Sequence, residues 1–419
     1  MQAVCFNLSV PRYVLGRALG GLSDAVVFGA ASGVRLLDYD LPDLPDPHWV
    51  ELEVLLAGVC GTDLSNLTYR SSPILEPFAS FPAVLGHEIL ARVIRIGSAV
   101  SRVSPGERVI VDPILTCSTR GYPISQTCPL CAAGHPALCT RAGEPGRVLI
   151  GGERLAPGIT IGYHRHLPGG WGERLVVHEA QLHRADPALS DRQAVLIEPL
   201  AVAIHAVLRA GPKQDEPVLV IGSGPIALST VWALRSLGHE GTLVAQVKRP
   251  KEKALARSLG ASHVVTPGSE ARQVLLRTGT SAYRPLASPE VYAGGGFPVI
   301  FDCVGSSVSL DQSLRYAAPQ GRTVVLGCAA RVRSLDLTMV WARELELRGF
   351  VGYGRETWNG ESLHTYDVTQ RLLKTTTAPV ADMITHTYPL DRYRTALSAA
   401  RHRRQSGAIK VLFTPPTSP

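Results

Sequence analysis

Three separated segments of the chain carry side chains that could bind a catalytic metal ion. Cys60 lies in "GVCGTD" after an apolar stretch, His87 and Glu88 lie in "LGHE", and Glu198 lies in the otherwise apolar "IEPLAVAIHA". Cysteine, histidine and carboxylate are the common protein ligands of catalytic zinc, which keeps one coordination position open. Zinc held there would lower the pKa of a bound alcohol or water and would polarise a carbonyl group.

Each of these residues also has an ordinary structural interpretation when it is taken alone. A single Cys60 after a strand is usually a small buried apolar residue, and a single His87 is usually a hydrogen-bonded turn residue. Glu198 before Pro199 also suits a helix start, where a carboxylate interacts well with the helix dipole. All of these interpretations would have to hold at once, so the set favours a metal site.

A second candidate metal site lies in a cysteine lobe, which we define as residues 117–139. Its cysteines are Cys117, Cys128, Cys131 and Cys139, with ten, two and seven residues between them. Four thiolates complete a tetrahedral zinc site that has no open position, so this pattern predicts a structural ion. The alternative is a lobe without metal in which Cys117 is free. The long first gap is compatible with the site, because the cost of loop closure grows slowly with length.

A glycine-rich turn predicts a dinucleotide site in the second half of the chain. "VLVIGSGPIA" has the G-x-G-x-x-A pattern, with Gly222, Gly224 and Ala227 at its key positions and Pro225 and Ile226 between them. The pattern follows an apolar strand and opens a helix, which is the context that gives it meaning. The glycines permit a tight turn and close approach of a pyrophosphate to the helix N-terminus. The alternative is an ordinary tight turn between a strand and a helix.

Two basic residues follow the next predicted strand and bear on the choice of cofactor. An acidic residue usually ends this strand and binds the ribose hydroxyls of NAD. Here the strand ends in "AQVKRPKEK", where Lys248 and Arg249 replace the acid. Because a basic side chain can pair with a 2′-phosphate, the sequence favours NADP over NAD, with NAD still possible. The alternative is that both residues are solvated charges on a turn.

The elements that position these residues fall into two classes. Up to about residue 170, short β segments alternate with turns rich in proline and glycine. After Gln193, strands such as "PVLVIGSG" alternate with helices, and repeated β-α-β units predict a doubly wound parallel sheet. We expect a β-rich catalytic domain over 1–199, a dinucleotide-binding domain over 200–351, and a segment over 352–419 that returns to the first domain.

Composition limits the class of protein and of partner. The chain has 419 residues, 45% of them hydrophobic, with a formal net charge of +7. Its basic residues are dispersed and form no stripe interleaved with aromatic residues, so we expect no nucleic-acid partner. No segment has the length of a membrane span, and the N-terminus lacks a signal-peptide pattern. We therefore expect a cytoplasmic protein without a membrane partner, in which clustered cysteines bind metal.

The sequence resembles the zinc-dependent medium-chain dehydrogenase/reductase family. The matching motifs are "GVCGTD", "GHE", the cysteine lobe, "EPLAVAIHA", "VIGSGPIA", "FDCVG" and "HTYPLDRYRTALSAA", in family order over nearly the whole chain. The resemblance implies an α/β two-domain fold, with a GroES-like catalytic domain and a Rossmann domain. The "EPL" variant is most similar to the polyol branch, which includes sorbitol, threonine and glucose dehydrogenases.

The resemblance also implies roles for the residues of the first candidate site. Cys60 and His87 would bind catalytic zinc, together with either Glu88 or Glu198, a choice that stays open. Thr62 would carry the first hydroxyl of a proton relay. The motif "VDPILTC" resembles the lead-in to the family's first structural zinc ligand, here Cys117.

Further roles concern the metal's surroundings and the cofactor. Asp63 would be a carboxylate that orients His87, as metal-bound imidazoles are usually held. The nicotinamide would lie near the ends of the later strands, around Val304 and Gly327.

Together these features predict a zinc-dependent enzyme that transfers hydride between an alcohol or polyol and NADP. The substrate would be a small alcohol, polyol or carbonyl compound, and the enzyme would be a homodimer or homotetramer. Two alternatives remain. One is reduction of an activated double bond or imine on the same scaffold, and the other is a non-enzymatic NADPH-binding protein with structural zinc only.

Overall fold

A computed structural model describes residues 1–19, 23–328 and 330–415 of the chain. The chain divides into two compact units. The first comprises Met1–Glu198, Tyr353–Lys374 and Ile384–Pro419, and the second comprises Pro199–Gly352 and Thr375–Met383. The short segment 375–383 groups with the second unit, where the indole Nε1 of Trp232 donates a hydrogen bond to Thr376 Oγ1 at 3.2 Å.

The elements up to residue 210 are mostly short strands with brief helices between them. The strands are β1 (Gln2–Phe6), β2 (Val34–Asp38), β3 (Trp49–Gly58), β4 (Ala83–Val84), β5 (Ile89–Ile96), β6 (Arg108–Val111), β7 (Leu149–Ile150), β8 (Glu153–Arg154), β9 (Arg174–His178) and β10 (Leu182–Arg184). The helices are α1 (Val10–Leu19), α2 (Asp24–Val27), α3 (Gly61–Leu67), α4 (Pro129–Ala132), α5 (Asp191–Ala194) and α6 (Ile197–Ala210).

The remaining elements alternate strands with helices before the chain returns to the first unit. The strands are β11 (Val218–Ile221), β12 (Leu243–Gln246), β13 (His263–Val265), β14 (Thr280–Tyr283), β15 (Val291–Gly294), β16 (Phe297–Asp302), β17 (Ala317–Val325), β18 (Glu346–Gly349), β19 (Arg355–Trp358), β20 (Glu361–His364), β21 (Ile384–Pro389) and β22 (Lys410–Thr414). The helices are α7 (Pro225–Ser236), α8 (Pro250–Ser258), α9 (Ser269–Leu276), α10 (Ser307–Tyr316), α11 (Thr338–Ala342), α12 (Thr365–Thr375), α13 (Tyr393–Arg401) and α14 (Arg403–Ser406).

The first unit is built on a sheet with the order β10-β6-β5-β3-β22-β21, and β9 also pairs with β3. The C-terminal strand β22 runs antiparallel to β3, with Leu412 opposite Gly58. Helix α13 buries Tyr393, Ala396, Leu397 and Ala400, a spacing of three and four residues that lines one helical face. The last part of the chain therefore completes the sheet and core of the first unit.

The second unit contains a parallel sheet with the order β13-β12-β11-β16-β17-β18. Its central strands β11, β12 and β16 are almost entirely buried, as expected for a sheet covered by helices on both faces. Strand β11 is central and pairs with β12 and β16, so the turn after β11 lies at the edge where the carboxyl ends of the strands meet. The predicted combination of a β-rich domain with a doubly wound parallel sheet is confirmed.

An additional segment with helices α1 and α2 lies between the antiparallel strands β1 and β2. Residues 20–22 of the N-terminal region, for which the sequence predicts no signal peptide, lie outside the described residues. Among those that are described, no helix combines the length and the apolar character needed to cross a membrane.

Candidate active site and cofactor site

The fold brings Cys60 to the adjacent residues His87 and Glu88, which follow it much later in the chain. Cys60 is the N-cap of α3 and follows β3, while His87 and Glu88 immediately precede β5. Strands β3 and β5 are paired, with Ala57 opposite Ile89. One potential ligand atom of each of the three residues lies within 4.8 Å of the others. A thiolate, an imidazole and a carboxylate at this spacing fit a zinc ion.

The imidazole of His87 is oriented by a fully buried carboxylate, Asp63. The Nδ1 atom of His87 lies 3.5 Å from Asp63 Oδ1, a charge contact that is longer than a hydrogen bond, since this Nδ1 has no hydrogen-bond partner among the described residues. With Nδ1 turned towards Asp63, Nε2 is left for a ligand. Asp63 itself is held by the Tyr163 hydroxyl, which donates at 2.5 Å, and by the Cys60 backbone amide, which donates at 2.8 Å. A carboxylate behind a metal-binding histidine selects its tautomer and fixes the ring. Sequence analysis did not identify Tyr163, which lies 100 residues from Asp63.

Glu88 is shared between the metal-ligand group and a buried lysine. The carboxylate of Glu88 is ion-paired with Lys410 Nζ, and this ammonium also donates to the Val59 carbonyl at 3.2 Å. Burial acts to lower the pKa of Lys410, but the Glu88 carboxylate opposes this and the pKa is raised overall. A Cβ atom on Gly58 would lie 1.8 Å from Glu88 Oε2, so the carboxylate needs glycine there. Lys410 was not identified from the sequence, although a single lysine in the apolar segment "AIKVLF" was a signal that could have pointed to it.

Glu198 lies in the first turn of α6 and is 8% exposed. Burial raises the pKa of its carboxyl group to about 8. In the described part of the chain, the candidate ligand group contains Glu88 and not Glu198. The geometry therefore favours Glu88 as the carboxylate ligand and Glu198 as a neighbouring acid.

The hydroxyl of Thr62 lies beside the candidate metal ligand Cys60. Its Oγ1 atom is 3.7 Å from Cys60 Sγ, because the first turn of α3 folds the two side chains together. A hydroxyl at this position can pass a proton from the metal site, the role that the family resemblance implies for Thr62.

The cysteine lobe brings its four sulfurs to one point. One sulfur atom each from Cys117, Cys128, Cys131 and Cys139 lies within 4.8 Å of the others, and all four cysteines are free thiols. Cys117 Sγ is 3.7 Å from Cys139 Sγ and accepts a hydrogen bond from the Cys128 amide at 3.3 Å. The ten inserted residues fold into turns between Cys117 and Cys128, so they do not keep Cys117 away. Four thiols with this arrangement fit a structural zinc ion.

A buried arginine accompanies the lobe and was not identified from the sequence. Arg120, within the ten inserted residues, has 0% exposure, and its guanidinium donates to the carbonyls of Gly158 and Glu144. Its Nε atom has no hydrogen-bond partner among the described residues. Burial lowers the pKa of Arg120, and negative charge on Cys139 and Cys117 opposes that shift. The cation is therefore buried next to the sulfurs rather than beside a carboxylate.

The glycine-rich turn has the form that a dinucleotide site requires. Gly222 has a φ of +146°, and a Cβ atom there would lie 3.0 Å from the Ala227 Cβ. Gly224 is the N-cap of α7, and Pro225 is its first residue, with Ile226 next. The N-terminus of this twelve-residue helix can thus face a pyrophosphate, because its first amides have no partners within the helix.

The end of strand β12 carries no carboxylate, in keeping with its sequence. Gln246 ends the strand and exchanges two amide hydrogen bonds with Gln312. The Lys248 amide donates to Ser223 Oγ in the glycine-rich turn at 2.8 Å, and the Lys248 side chain is exposed. Arg249 is less available than Lys248, because its guanidinium is ion-paired with Glu252.

Val304 and Gly327, the expected neighbours of a nicotinamide, lie close together at the ends of β16 and β17. A Cβ atom on Gly327 would lie 2.2 Å from the Val304 carbonyl carbon, so only glycine permits this approach. Val304 is 43% exposed, so a ligand can reach its side chain.

Comparison with known proteins places the chain among zinc-type dehydrogenases. Residues 46–187 match the alcohol dehydrogenase GroES-like domain, and residues 225–366 match the zinc-binding dehydrogenase domain. The chain is 30% identical over 332 residues to a zinc-type alcohol dehydrogenase-like protein of Haemophilus influenzae, covering 78% of this chain and 82% of that protein. It is 26% identical over 381 residues to L-idonate 5-dehydrogenase of Vitis vinifera, covering 91% of each.

A solved structure shows the same similarity in three dimensions. It is a Sinorhizobium meliloti protein that carries the name zinc-binding dehydrogenase and is bound to NADP. The TM-score is 0.67 at 25% identity, and the match covers 99% of both chains. With the two family domains in the same order and long matches to named dehydrogenases, the chain belongs to the zinc-dependent medium-chain dehydrogenase/reductase family, in the alcohol and polyol dehydrogenase branch, and is an oxidoreductase.

Proposed function

We propose that the protein is a zinc-dependent dehydrogenase that transfers hydride between the carbinol carbon of an alcohol or polyol and NADP. The observation that carries this proposal is the grouping of Cys60, His87 and Glu88, whose ligand atoms lie within 4.8 Å of one another. The three residues would hold the ion and leave one position open for a small molecule, as in catalytic zinc sites.

The zinc ion, when bound, supplies a Lewis acid that stabilises negative charge on the substrate oxygen. The chain supplies the groups around that oxygen. Asp63 holds His87 through Nδ1, and Thr62 is placed beside Cys60 to pass the hydroxyl proton towards solvent. Lys410 holds the Glu88 carboxylate in place. Glu198 supplies a nearby buried acid rather than a third protein ligand.

The preference for NADP is supported mainly by Lys248. Its ammonium is exposed, and its backbone is tied to the glycine-rich turn through Ser223. Strand β12 ends in Gln246 rather than in an acidic residue, so no carboxylate there would repel a 2′-phosphate. Arg249 contributes less, because Glu252 already pairs with it. The Sinorhizobium meliloti neighbour bound to NADP is consistent with this preference.

A screen of alcohols, polyols and carbonyl compounds with NADP and NAD tests the proposal, with the reduced nicotinamide read by its absorbance. We expect turnover with at least one alcohol or polyol, loss of turnover in Cys60→Ser, and retention in Cys5→Ala. Cys5 is a suitable control because it is a buried cysteine of the same unit outside both thiol-containing groups. Turnover confined to imines or activated alkenes, or no turnover at all, would contradict the proposal.

The cofactor preference has its own test, because NAD and NADP differ only in the 2′-phosphate. Lys248→Ser should raise the KM for NADP by about tenfold, the loss of roughly one charge-assisted hydrogen bond. The KM for NAD should not change. An equal change for both cofactors would contradict the role of Lys248.

A further inference from the structure

A third group of potential metal ligands lies in the first unit, apart from the two groups described above. It consists of Asp112, His183 and His364, each of which offers one ligand atom within 4.8 Å of the others. Two imidazoles and a carboxylate suit zinc and other divalent ions of the first transition row. Asp112 lies in the motif "VDPILTC", but none of the three residues has a role predicted from the sequence, and the proposed hydride transfer does not use them.

The fold dictates this meeting of residues that are distant in sequence. Asp112 follows β6 directly, and β6 pairs antiparallel with β10, so that His183 lies opposite Ile110. Because side chains alternate along a strand, His183, Ile110 and Asp112 project from the same face of this strand pair. His364 ends β20, immediately before α12. The group thus joins an early strand pair to the segment that returns near the end of the chain.

The spacing of Asp112 and His364 is that of two ligands rather than of a donor and an acceptor. Asp112 Oδ2 lies 3.4 Å from His364 Nε2, in a contact that lacks hydrogen-bond geometry. With metal–ligand bonds of about 2.1 Å, two ligands of a tetrahedral ion lie about 3.4 Å apart. The other carboxylate oxygen, Asp112 Oδ1, already accepts from the Ile114 amide at 2.9 Å, which fixes the orientation of the carboxylate.

A second carboxylate, that of Asp367, contacts the Nδ1 side of the His183 ring, which is the arrangement usual for metal-binding histidines. Asp367, in the first turn of α12, places Oδ1 at 3.4 Å from His183 Nδ1. This contact leaves Nε2 of His183 for an ion and selects the tautomer that can bind one. The two imidazole centroids are 4.3 Å apart, and the Tyr366 ring packs on both at 5.0 and 5.1 Å.

Charge and access also favour a cation. Asp112 is 4% exposed, and in the described ranges it forms no ion pair with a lysine or arginine. A buried carboxylate needs a compensating charge, which a divalent ion would provide. The side chains of His183 and His364 are 9% and 13% exposed, so an ion can enter from their side.

One hydrogen bond must change when an ion binds. His364 Nδ1 accepts from the Tyr366 amide at 3.2 Å, which places the ring proton on Nε2. Binding through Nε2 moves that proton to Nδ1 and releases the amide. The cost is small, because this amide lies in the first turn of α12, where backbone amides have no partner within the helix and can bind water.

We propose that Asp112, His183 and His364 form a third metal site, which binds a zinc-class divalent ion with two nitrogens and one oxygen. Water completes the coordination. The ion clamps the start of α12 to the β6–β10 strand pair. This inference does not depend on the proposed hydride transfer, since no residue is common to the two sites.

Metal content of the full-length protein tests the proposal. After saturation with zinc and gel filtration, His364→Gln and Asp112→Asn should each retain one ion per chain fewer than the wild type. His178→Gln is the matched control, because His178 is a partly buried strand histidine of the same unit outside all three groups, and it should retain the wild-type number. Equal metal content in the wild type and in both ligand variants would overturn the proposal.

Two further measurements keep the test decisive if a ligand variant fails to fold. Asp367→Asn leaves the ligands in place and should weaken binding of the extra ion about 10- to 100-fold, as removal of such outer carboxylates does. When cobalt replaces zinc in the wild type, one ion per chain should add ligand-field absorption without sulfur-to-cobalt charge transfer, because this site, unlike the other two, has no thiolate. If the charge-transfer band grows in proportion to every cobalt ion bound, Asp112, His183 and His364 bind no metal.

Discussion

Arg120 offers a quantitative test of the cysteine lobe. A zinc ion with four thiolates carries a net charge of about −2, and Arg120 is a fully buried cation beside Cys117 and Cys139. Without zinc, Cys117 and Cys131 take up protons, because their pKa values are raised, whereas a hydrogen bond from Cys131 lowers the pKa of Cys139 to about 5. The guanidinium then faces less negative charge than in the zinc-bound lobe, so we expect Arg120 to stabilise the zinc-bound lobe more than the zinc-free lobe.

The substitution Arg120→Met removes the charge and keeps most of the side-chain volume. Loss of a group that supports metal ligands from outside weakens metal binding about 10- to 100-fold, which equals about 1.4 to 2.7 kcal/mol. Removal of zinc lowers the free energy of unfolding. By linkage, this loss should be smaller in Arg120→Met than in the wild type, by the same amount of about 1.4 to 2.7 kcal/mol, which is the difference in zinc binding. The hydrogen bonds to the Gly158 and Glu144 carbonyls are lost in both states and cancel in this comparison.

The assay is competition for zinc with a colorimetric chelator, together with denaturant unfolding before and after zinc removal. Arg147→Met is the control, because Arg147 is an exposed cation of the same region that stacks on Tyr122 at 4.6 Å from the ring centroid. It should leave zinc affinity unchanged. If Arg120→Met folds and binds zinc as tightly as Arg147→Met, the charge argument is wrong.

Four shorter predictions follow from other contacts. Cys117→Ser should lose the lobe's zinc in metal analysis, whereas unchanged zinc content would show that Cys117 is not a ligand. In the zinc-free protein, Lys410→Met leaves the buried Glu88 carboxylate unpaired and should cost about 3 to 5 kcal/mol in urea unfolding; a cost below about 1 kcal/mol would refute this. Thr62→Val should lower kcat about 10²-fold or more with little change in KM, and an unchanged kcat would exclude the relay. Burial lowers the pKa of His164 to about 3, so between about pH 6.5 and pH 3 the unfolded state binds more protons than the folded state. The free energy of unfolding therefore falls by about 1.4 kcal/mol for each unit by which the pH is lowered in this range. His164→Gln should flatten this pH dependence in denaturant titrations, and an unchanged slope would contradict it.

The family and the fold class were readable from the sequence because their signals are local. The glycine-rich turn needs only residues 222–227 between a strand and a helix, and the strand and helix periodicities needed no distant contact. The cysteine spacing likewise predicted a closed site from one short segment. The family comparison and the parallel sheet confirm the family and the fold class, whereas the four-cysteine zinc site stays a prediction.

Other features depended on residues that meet only in the folded chain. The preference for Glu88 over Glu198 could not be obtained from motifs, because both glutamates occur in family-like segments. Pairing of β3 with β5 places Glu88 near Cys60, and pairing of β22 with β3 brings Lys410 to it. Similarly, Arg249 is less available to bind a 2′-phosphate, because its guanidinium is ion-paired with Glu252.

The sequence by itself thus determined the family, the two-domain fold and the kinds of ligand at each predicted site. The tertiary structure decided which candidates share one point in space: it closed the cysteine lobe across ten inserted residues and assembled Asp112, His183 and His364. The physical reason is that ligand chemistry is a property of single residues, whereas coordination requires several of them within a few ångströms, and strand register sets those distances.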